Sequence, residues 1–325
     1  MDNTFTHYQN LIEKEISNIS FGDKPIELYE PLKYMMRLGG KRFRPALVLM
    51  SNGLFGGREE VAIHPAIGME VFHNFTLIHD DIMDNAPLRR GKPTVHEKWG
   101  QTIAILSGDV MLVKAYHFIS MVRPEILPEV LQLFNETASR VCEGQQYDMN
   151  FEQKPSVSID EYVEMIGLKT AALLAGCLKM GAIIANAPME DADRIYDFGY
   201  LLGTAFQVQD DLLDAFGNAD TFGKSIGGDI FANKKTWLTL KAKEIANAED
   251  ATELDILFAS RVLPPEKKIA RVMEIYRRTG VKELTEEARD SFYHQALESL
   301  DAINLPEENK QPLKGLAIEL IERVK

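Results

Sequence analysis

The stretch that decides the fold class is DEYVEMIGLKTAALLAGCLKMGAIIA, residues 160–185, whose apolar side chains recur every three or four positions. A second stretch, RIYDFGYLLGTAFQVQDDLLDAF at 194–216, has the same period. Both contain segments rich in alanine and glycine that are apolar on most faces, which is typical of helices surrounded by other helices. Alternating strand patterns bounded by hairpin turns are missing. The sequence therefore predicts an all-α protein, a large helical bundle with buried central helices.

The composition of the whole chain limits its class. No composition shift and no Ser- or Gly-rich linker divides it, so we expect a single domain over residues 1–325. A formal net charge of −13 disfavours a broad nucleic-acid surface. The two cysteines, Cys142 and Cys177, lie in apolar helix-like runs, so a disulfide framework is not expected. The sequence shows no signal-peptide pattern and no uninterrupted apolar stretch of about 18 residues, so we expect a cytoplasmic protein without a transmembrane segment.

A short acidic motif, D-D-x-x-D, occurs twice in apolar helical stretches. The first triad consists of Asp80, Asp81 and Asp84, and the second triad consists of Asp210, Asp211 and Asp214. In a helix, the first and last acids of a triad lie one turn apart on one side, and the middle acid lies on the adjacent flank. Carboxylates this close repel one another unless a cation is present, and oxygen ligands without cysteine suit Mg²⁺. The motif therefore predicts that both triads bind Mg²⁺.

Three loops carry compact basic clusters. The clusters are Lys41, Arg42 and Arg44 in LGGKRFRP, Arg89, Arg90 and Lys92 in PLRRGKP, and Lys224, Lys234 and Lys235 in GKSIGGDIFANKK. Each cluster alone could be a solvated loop, and the first triad could simply pair with Arg89 and Arg90 at a solvated helix end. GGKRFRP lacks the full Walker spacing, which argues against a P-loop nucleotide hydrolase. Metal-binding acids and phosphate-binding cations in one chain together indicate a diphosphate substrate.

Seven motifs in order resemble one enzyme family. They are GGKRFRP, LIHDDIMD with LRRGKPTVH, EGQQYD, LKT, FQVQDDLLD, GKSIGGDI and NKKTW. Over residues 39 to about 237, the chain is thus similar to the trans-isoprenyl diphosphate synthases, the polyprenyl synthetase family. The resemblance implies the isoprenoid synthase fold with a central apolar cavity, a homodimer, and Mg²⁺-dependent condensation of isopentenyl diphosphate with an allylic diphosphate, which is dimethylallyl, geranyl or farnesyl diphosphate.

The resemblance also assigns residues. Three Mg²⁺ ions on the allylic diphosphate are assigned to Asp80, Asp81, Asp84 and Asp210, with Asp211 and Asp214 in support. The same diphosphate is assigned to Arg89, Lys169, Lys224 and Lys234. Isopentenyl diphosphate is assigned to Lys41, Arg44, His73 and Arg90, and the polar groups that face the carbocation are assigned to Thr170 and Gln207. Because Lys235 follows Lys234 directly, that assignment stays open by one residue.

The product length is expected to depend on the residues just before the first triad, which line an apolar tunnel for the growing chain. In the family, an aromatic residue five positions before the first aspartate, here Phe75, resembles short-chain enzymes. A small residue at the next position, here Thr76, leaves more room than a second aromatic residue. We therefore expect geranylgeranyl diphosphate (C20) in preference to farnesyl diphosphate (C15). The alternative is that Phe75 is an ordinary core residue.

Two other functions fit parts of the sequence. A class I terpene cyclase also ionises allylic diphosphates, but it usually carries a second metal motif with Asn, Ser and Glu, whereas this chain repeats the aspartates. A non-catalytic regulatory subunit of a prenyl synthase would be expected to have lost part of a triad, and both triads are intact. The chemistry needs no protein nucleophile, so His79 is interpreted as a partner of the metal-binding acids rather than a general base.

Overall fold

The computed structural model describes residues 3–217, 227–260 and 262–322, which are almost entirely helical. The helices are α1 Asn3–Asn18, α2 Ile26–Arg37, α3 Phe43–Leu54, α4 Glu59–Met83, α5 Val95–Trp99, α6 Gln101–Ile119, α7 Leu127–Gln153, α8 Ile159–Ile166, α9 Ala172–Ile184, α10 Met189–Phe216, α11 Gly228–Phe231, α12 Trp237–Ile245, α13 Ala248–Ala259, α14 Pro265–Thr279, α15 Val281–Asp301 and α16 Glu307–Ile321. A π-helical turn, Gly167–Ala171, joins α8 to α9. The prediction of an all-α fold is confirmed.

The described strands are limited to one short antiparallel pair, β1 Leu88–Arg89 and β2 Lys92–Pro93. Arg89 pairs with Lys92, so Arg90 and Gly91 form a two-residue loop. Both loop residues have positive φ, at 53° and 71°, as a type I′ hairpin turn requires. This hairpin carries the basic segment PLRRGKP directly after α4.

The chain divides into two compact units. The first unit contains residues 1–135 and 176–195, and the second unit contains residues 136–175 and 196–325. The expectation of a single domain stays a prediction.

The first unit is built around α4, which packs against α3 and α6. Residues 45–52 of α3 are buried without interruption, and α4 buries its middle turns through apolar residues such as Ile67, Met69 and Phe72. The spacing of these buried apolar residues therefore determines on which side of α4 the acidic residues at its carboxyl end lie.

The second unit has two apolar clusters that share α10. One cluster contains Leu212 and Tyr276, and the other contains Tyr162 and Val208. The helix α8 begins with a capping box between Ser158 and Glu161, which fixes where α8 starts. Burial of α10 on several faces agrees with the interpretation of the stretch 194–216 as part of a buried central helix.

Two helical segments, Gln101–Ile119 and Ile159–Ile184, are long and apolar enough to cross a membrane by length and composition alone. Most of the second segment is buried inside the protein, as is usual for a core helix of a soluble fold. The expectations of a cytoplasmic protein and of no transmembrane segment stay predictions.

Candidate active site

The first triad lies at the carboxyl end of α4. Asp80 and Asp81 belong to the last helical turn, and Asp84 is the residue that ends the helix. The Asp81 side chain is only 2% exposed, whereas that of Asp80 is 21% exposed. The acids of this triad are therefore not equivalent, and Asp80 is the more accessible of the two at the helix end.

The middle acid of this triad is bound by the hairpin. The Nε atom of Arg89 donates to both carboxylate oxygens of Asp81 at 2.9 Å, and Nη2 lies 2.7 Å from Oδ1. The same Nη2 atom lies 3.8 Å from Oδ2 of Asp80. The pairing with Arg89 that the sequence left open is present, and it falls mainly on Asp81.

Arg90 extends from the hairpin to the Gly-Gly turn before α3. A side chain at Gly40 would lie 2.7 Å from Nη2 of Arg90, and Gly40 has a φ of 137°. Only glycine fits both this backbone conformation and this contact. Two of the predicted basic loops, GGKRFRP and PLRRGKP, are thus in contact in the first unit.

Arg44 and His73 form a second contact of this cluster. The Nη1 atom of Arg44 lies 3.1 Å from Nε2 of His73. Burial lowers the pKa of His73 well below its usual value, and the positive charge of Arg44 lowers it further. A neutral His73 can accept the Arg44 hydrogen, because an uncharged imidazole keeps one acceptor nitrogen. Burial also lowers the pKa of Arg44.

Arg42 belongs to the same loop but is buried in an ion pair. It donates to Glu70 Oε1 at 2.8 Å, to Glu13 Oε1 at 2.7 Å and to the carbonyl of Met36 at 2.6 Å. Sequence spacing gives no signal for this pair, because Arg42 and Glu70 are 28 positions apart. Lys41, next to Arg42, is exposed.

The residues predicted to set chain length lie on α4, one to two turns before Asp80. The ring of Phe75 contacts those of His79 and Phe72, with centroids 4.7 and 5.7 Å apart. The Thr76 hydroxyl donates to the carbonyl of His73 at 2.8 Å. His79 lies against α6, with Nε2 3.3 Å from the carbonyl of Ile105.

The second triad lies near the end of α10, and two of its acids bind backbone N–H groups. Asp211 and Asp214 are 4% and 8% exposed. Oδ2 of Asp211 accepts the Tyr162 hydroxyl at 2.5 Å and the Trp237 N–H at 3.0 Å. Oδ2 of Asp214 accepts the Asp229 N–H at 3.0 Å. Asp210 is partly exposed.

The buried position of Asp211 changes its ionisation. Burial is the main cause that raises its pKa to about 8, against the hydrogen bond from Tyr162. Burial likewise raises the pKa of the Tyr162 hydroxyl well above its usual value. The pair is therefore a hydroxyl donor and a carboxyl acceptor in a dry environment.

Lys169 and Thr170 lie in the π-helical turn between α8 and α9. Lys169 Nζ lies 2.5 Å from Oδ2 of Asp148, and Thr170 donates to Oε1 of Gln207 at 3.2 Å. A side chain at Gly144 would lie 2.2 Å from the Lys169 nitrogen, so α7 approaches this turn only because residue 144 is glycine. Gly144 and Asp148 belong to the motif EGQQYD, whose residue types alone indicate no role.

The two adjacent lysines of NKKTW have different surroundings. The Lys235 ammonium donates to the carbonyls of Phe151 and Lys154 at the end of α7. The Lys234 side chain is 59% exposed and its Nζ lies 3.4 Å from Oδ1 of Asp229. The Lys235 ammonium is thus bound at a helix end. This favours Lys234 as the residue that would bind the diphosphate. Lys224 lies outside the described residues.

Comparison with known proteins identifies the family. The model of the polyprenyl synthetase family matches residues 25–276. The short chain isoprenyl diphosphate synthase of Methanothermobacter thermautotrophicus is 36% identical over 315 residues, which cover 96% of this chain and 94% of the relative. A crystal structure of a geranylgeranyl pyrophosphate synthase matches with a TM-score of 0.95 and 42% identity over 100% of both chains.

A further crystal structure, geranylgeranyl pyrophosphate synthase from Corynebacterium glutamicum complexed with isoprenyl diphosphate and magnesium, matches with a TM-score of 0.84. It is 30% identical and covers 99% of this chain and 97% of its own. These likenesses extend over nearly the whole chain, and the residues matched by the family model, 25–276, span the seven motifs. The chain therefore belongs to the polyprenyl synthetase family and is a short-chain trans-isoprenyl diphosphate synthase, a prenyltransferase.

Proposed function

We propose that this enzyme joins isopentenyl diphosphate to an allylic diphosphate in a Mg²⁺-dependent, head-to-tail reaction and that its main product is geranylgeranyl diphosphate. The observation that carries the proposal is that both aspartate triads are intact within the residues matched by the family model. The related enzyme of C. glutamicum carries isoprenyl diphosphate and magnesium. We expect the allylic primer to be dimethylallyl, geranyl or farnesyl diphosphate.

The acids available for metal binding suit Mg²⁺. Asp80, Asp81, Asp84 and Asp210 offer carboxylate oxygens, and Mg²⁺ prefers oxygen ligands completed by water and substrate phosphates. We assign these acids to three Mg²⁺ ions on the allylic diphosphate. Asp211 and Asp214, whose carboxylates accept backbone N–H groups, support these ligands. When bound, Mg²⁺ neutralises the charge that grows on the departing diphosphate.

The reaction proceeds without a protein nucleophile. The carbon–oxygen bond of the allylic diphosphate breaks, and both electrons leave with the diphosphate. The double bond of isopentenyl diphosphate attacks the allylic cation, a carbon–carbon bond forms, and a proton passes to the released diphosphate. Fixed positive charges stabilise this leaving group. The cations assigned to it are Arg89, Lys169, Lys224 and Lys234.

Thr170 and Gln207 supply polar groups of a suitable kind for the cation. Because the Thr170 hydroxyl donates its hydrogen to Gln207, its oxygen lone pairs are the part of the group that can face a positive charge. This pair thus offers neutral oxygen atoms to a bound carbocation.

The homoallylic diphosphate is assigned to Lys41, Arg44, His73 and Arg90. In the first unit, Arg90 reaches Gly40 of the loop that carries Lys41, and Arg44 contacts His73. Arginine forks match phosphate oxygens in pairs, so this cluster suits a second diphosphate.

A homodimer is part of the proposal. The helix α6 exposes large apolar side chains, and these are Ile105, Leu106, Val113 and Tyr116 at 41%, 52%, 66% and 38%. Grouped apolar side chains on one exposed helix favour association with another protein surface. Sedimentation equilibrium of the purified enzyme should give twice the chain mass, and a monomer would contradict this part.

The decisive experiment separates the proposed condensation from its alternatives. The purified chain is incubated with Mg²⁺ and a labelled allylic diphosphate, with and without isopentenyl diphosphate. We expect a C20 prenyl alcohol after dephosphorylation, and only when isopentenyl diphosphate is present. A cyclic hydrocarbon without isopentenyl diphosphate would indicate a terpene cyclase. Activity that appears only after a second polypeptide is added would indicate a regulatory subunit.

A further inference from the structure

Asp211, the middle acid of the second triad, accepts two hydrogen bonds from the protein. Both donors to Asp211, the Tyr162 hydroxyl and the Trp237 N–H, bind the same oxygen, Oδ2. Tyr162 is itself only 3% exposed, and Trp237 is the first residue of α12. Asp211 therefore connects three helices, α8, α10 and α12, through one carboxylate oxygen.

Asp214, one helical turn further along α10, makes a similar contact. Its carboxylate accepts the Asp229 N–H, and its carbonyl accepts the Gly227 N–H at 2.7 Å. Residues 227–237 are thus attached to α10 at both ends, by Asp214 near the start and by Asp211 at the finish. Backbone N–H groups at helix starts need such acceptors, because they have no partner inside their own helix.

Lys234 lies between these two attachment points. Its N–H donates to the carbonyl of Asp229 at 2.9 Å, and its ammonium lies 3.4 Å from the Asp229 carboxylate. Lys235 fixes the same segment to the end of α7. The backbone of Lys234 is therefore held by contacts on both sides, while its side chain remains largely exposed.

We infer that Asp211 is a positioning residue, which acts through the segment 227–237 to fix Lys234 for the allylic diphosphate, and that Tyr162 is its partner. This inference rests on the proposed function, since Lys234 acts there on a diphosphate. Accepting two hydrogen bonds on one oxygen needs a carbonyl-type oxygen but no negative charge. Binding a metal ion directly would need the charge, and this difference gives a test.

The test compares Asp211→Asn, Asp211→Ala and Tyr162→Phe with Asp210→Asn as the matched control. Asparagine keeps an oxygen for both donors, so we expect Asp211→Asn to change the Mg²⁺ concentration for half-maximal rate by less than about twofold. Asp210→Asn should raise it by roughly tenfold or more, as expected for a lost charged ligand. An equally large increase for Asp211→Asn would overturn the inference.

The effect on substrate shows whether Asp211 acts through Lys234. We expect Asp211→Ala and Tyr162→Phe to raise the KM for the allylic diphosphate by roughly three- to tenfold, and the KM for isopentenyl diphosphate much less. Combining Asp211→Ala with Lys234→Ala should add little to the effect of Lys234→Ala alone. Fully additive effects of the two substitutions on this KM would contradict the inference, because they would mean that Asp211 and Lys234 act independently.

A measurement without substrate separates this inference from the proposed function. Amide hydrogen exchange at Trp237 should become faster in Asp211→Ala and keep its wild-type rate in Asp211→Asn. Equal rates in wild type and Asp211→Ala would overturn the inference even if condensation is observed. A wild-type enzyme that makes no prenyl product would instead refute the proposed function, while the exchange rates would still decide the role of Asp211. Tyr162→Phe and Asp211→Asn keep this test open if Asp211→Ala fails to fold.

Discussion

Arg89 binds Asp81 through two nitrogen atoms. Its Nε lies 2.9 Å from both carboxylate oxygens, and its Nη2 lies 2.7 Å from Oδ1. Lysine cannot reproduce this forked contact, because its ammonium is a single point of charge. We expect Arg89→Lys to lower kcat/KM for the allylic diphosphate by roughly tenfold or more, through loss of a charge-assisted contact.

Steady-state kinetics of Arg89→Lys, Asp81→Asn and the double variant check this prediction. The two losses should be strongly non-additive, because each substitution breaks the same pair. Lys92→Arg on the same hairpin is the control, since Lys92 lies in β2 and is exposed. A wild-type kcat/KM for Arg89→Lys would contradict the role assigned to the pair.

The proposed metal ligands should be indispensable for turnover but not for folding. Asp80 and Asp210 are partly exposed, and Asp80→Ala or Asp210→Ala removes a carboxylate from the proposed metal site, so we expect the product to disappear while the helical circular dichroism spectrum is kept. Mg²⁺ with inorganic diphosphate should also raise the melting temperature of the wild type. A ligand at 100 times its Kd adds about 2.7 kcal/mol to the stability of the folded state.

Glu125→Gln is the control for these substitutions, because Glu125 is an exposed acid outside both triads. It should behave as the wild type in turnover and in melting. Normal turnover of Asp80→Ala or Asp210→Ala would refute the metal assignment, and so would a melting curve that Mg²⁺ and diphosphate leave unchanged.

The adjacent lysines Lys234 and Lys235 should have separable effects. Lys234→Ala is expected to raise the KM for the allylic diphosphate with little change in melting temperature, since its side chain is largely exposed. Lys235→Ala removes the donor that satisfies two carbonyls at the end of α7, so it should lower the melting temperature. Each variant is the control for the other, and the opposite pattern would transfer the ligand role to Lys235.

Much of this fold was predictable because helix period is a local property of the sequence. The two triads were found in the same way, since three carboxylates at this spacing need no tertiary information. The partners of the acids were not predictable: Asp211 meets Tyr162 and Trp237 from 49 and 26 positions away. The motif shows which residues are acidic. Which of these acids is buried depends on the packing of α8 and α12 on α10.

The basic residues show the same limit of prediction from the sequence. Lys234 and Lys235 are equivalent in the sequence, and they differ only because the end of α7 lies beside one of them. Arg42 looked like a loop cation, yet its left-handed backbone, with φ at 49°, accompanies a buried pair with Glu70. Neither distinction has a signal in residue type or spacing.

The product length should respond to Phe75. Its ring lies against Phe72 and His79 on α4, so replacing it with alanine opens space on the side of the proposed tunnel. We expect Phe75→Ala to shift the product from C20 to longer chains and Thr76→Phe to shift it towards C15. Chromatography of the dephosphorylated alcohols measures both. Unchanged product length in Phe75→Ala would mean that Phe75 is an ordinary core residue.

The partly buried His73 should make stability depend on pH. Burial, with the charge of Arg44 next in importance, lowers the pKa of His73 well below its usual value, so the folded state holds it neutral. The unfolded chain takes up a proton near pH 6.5 that the folded state does not bind. This contribution to stability is therefore complete above about pH 6.5 and is lost as the pH falls below it.

His73→Gln removes this titration but keeps an oxygen that can accept the Arg44 hydrogen. We expect the free energy of unfolding in urea to fall from pH 7.5 to pH 5.5 more steeply in the wild type than in His73→Gln. Acidic residues titrate in both proteins, so the difference between the two slopes isolates the histidine. Parallel slopes would mean that His73 takes up a proton in the folded state, and neutral His73 could then no longer be the acceptor for Arg44.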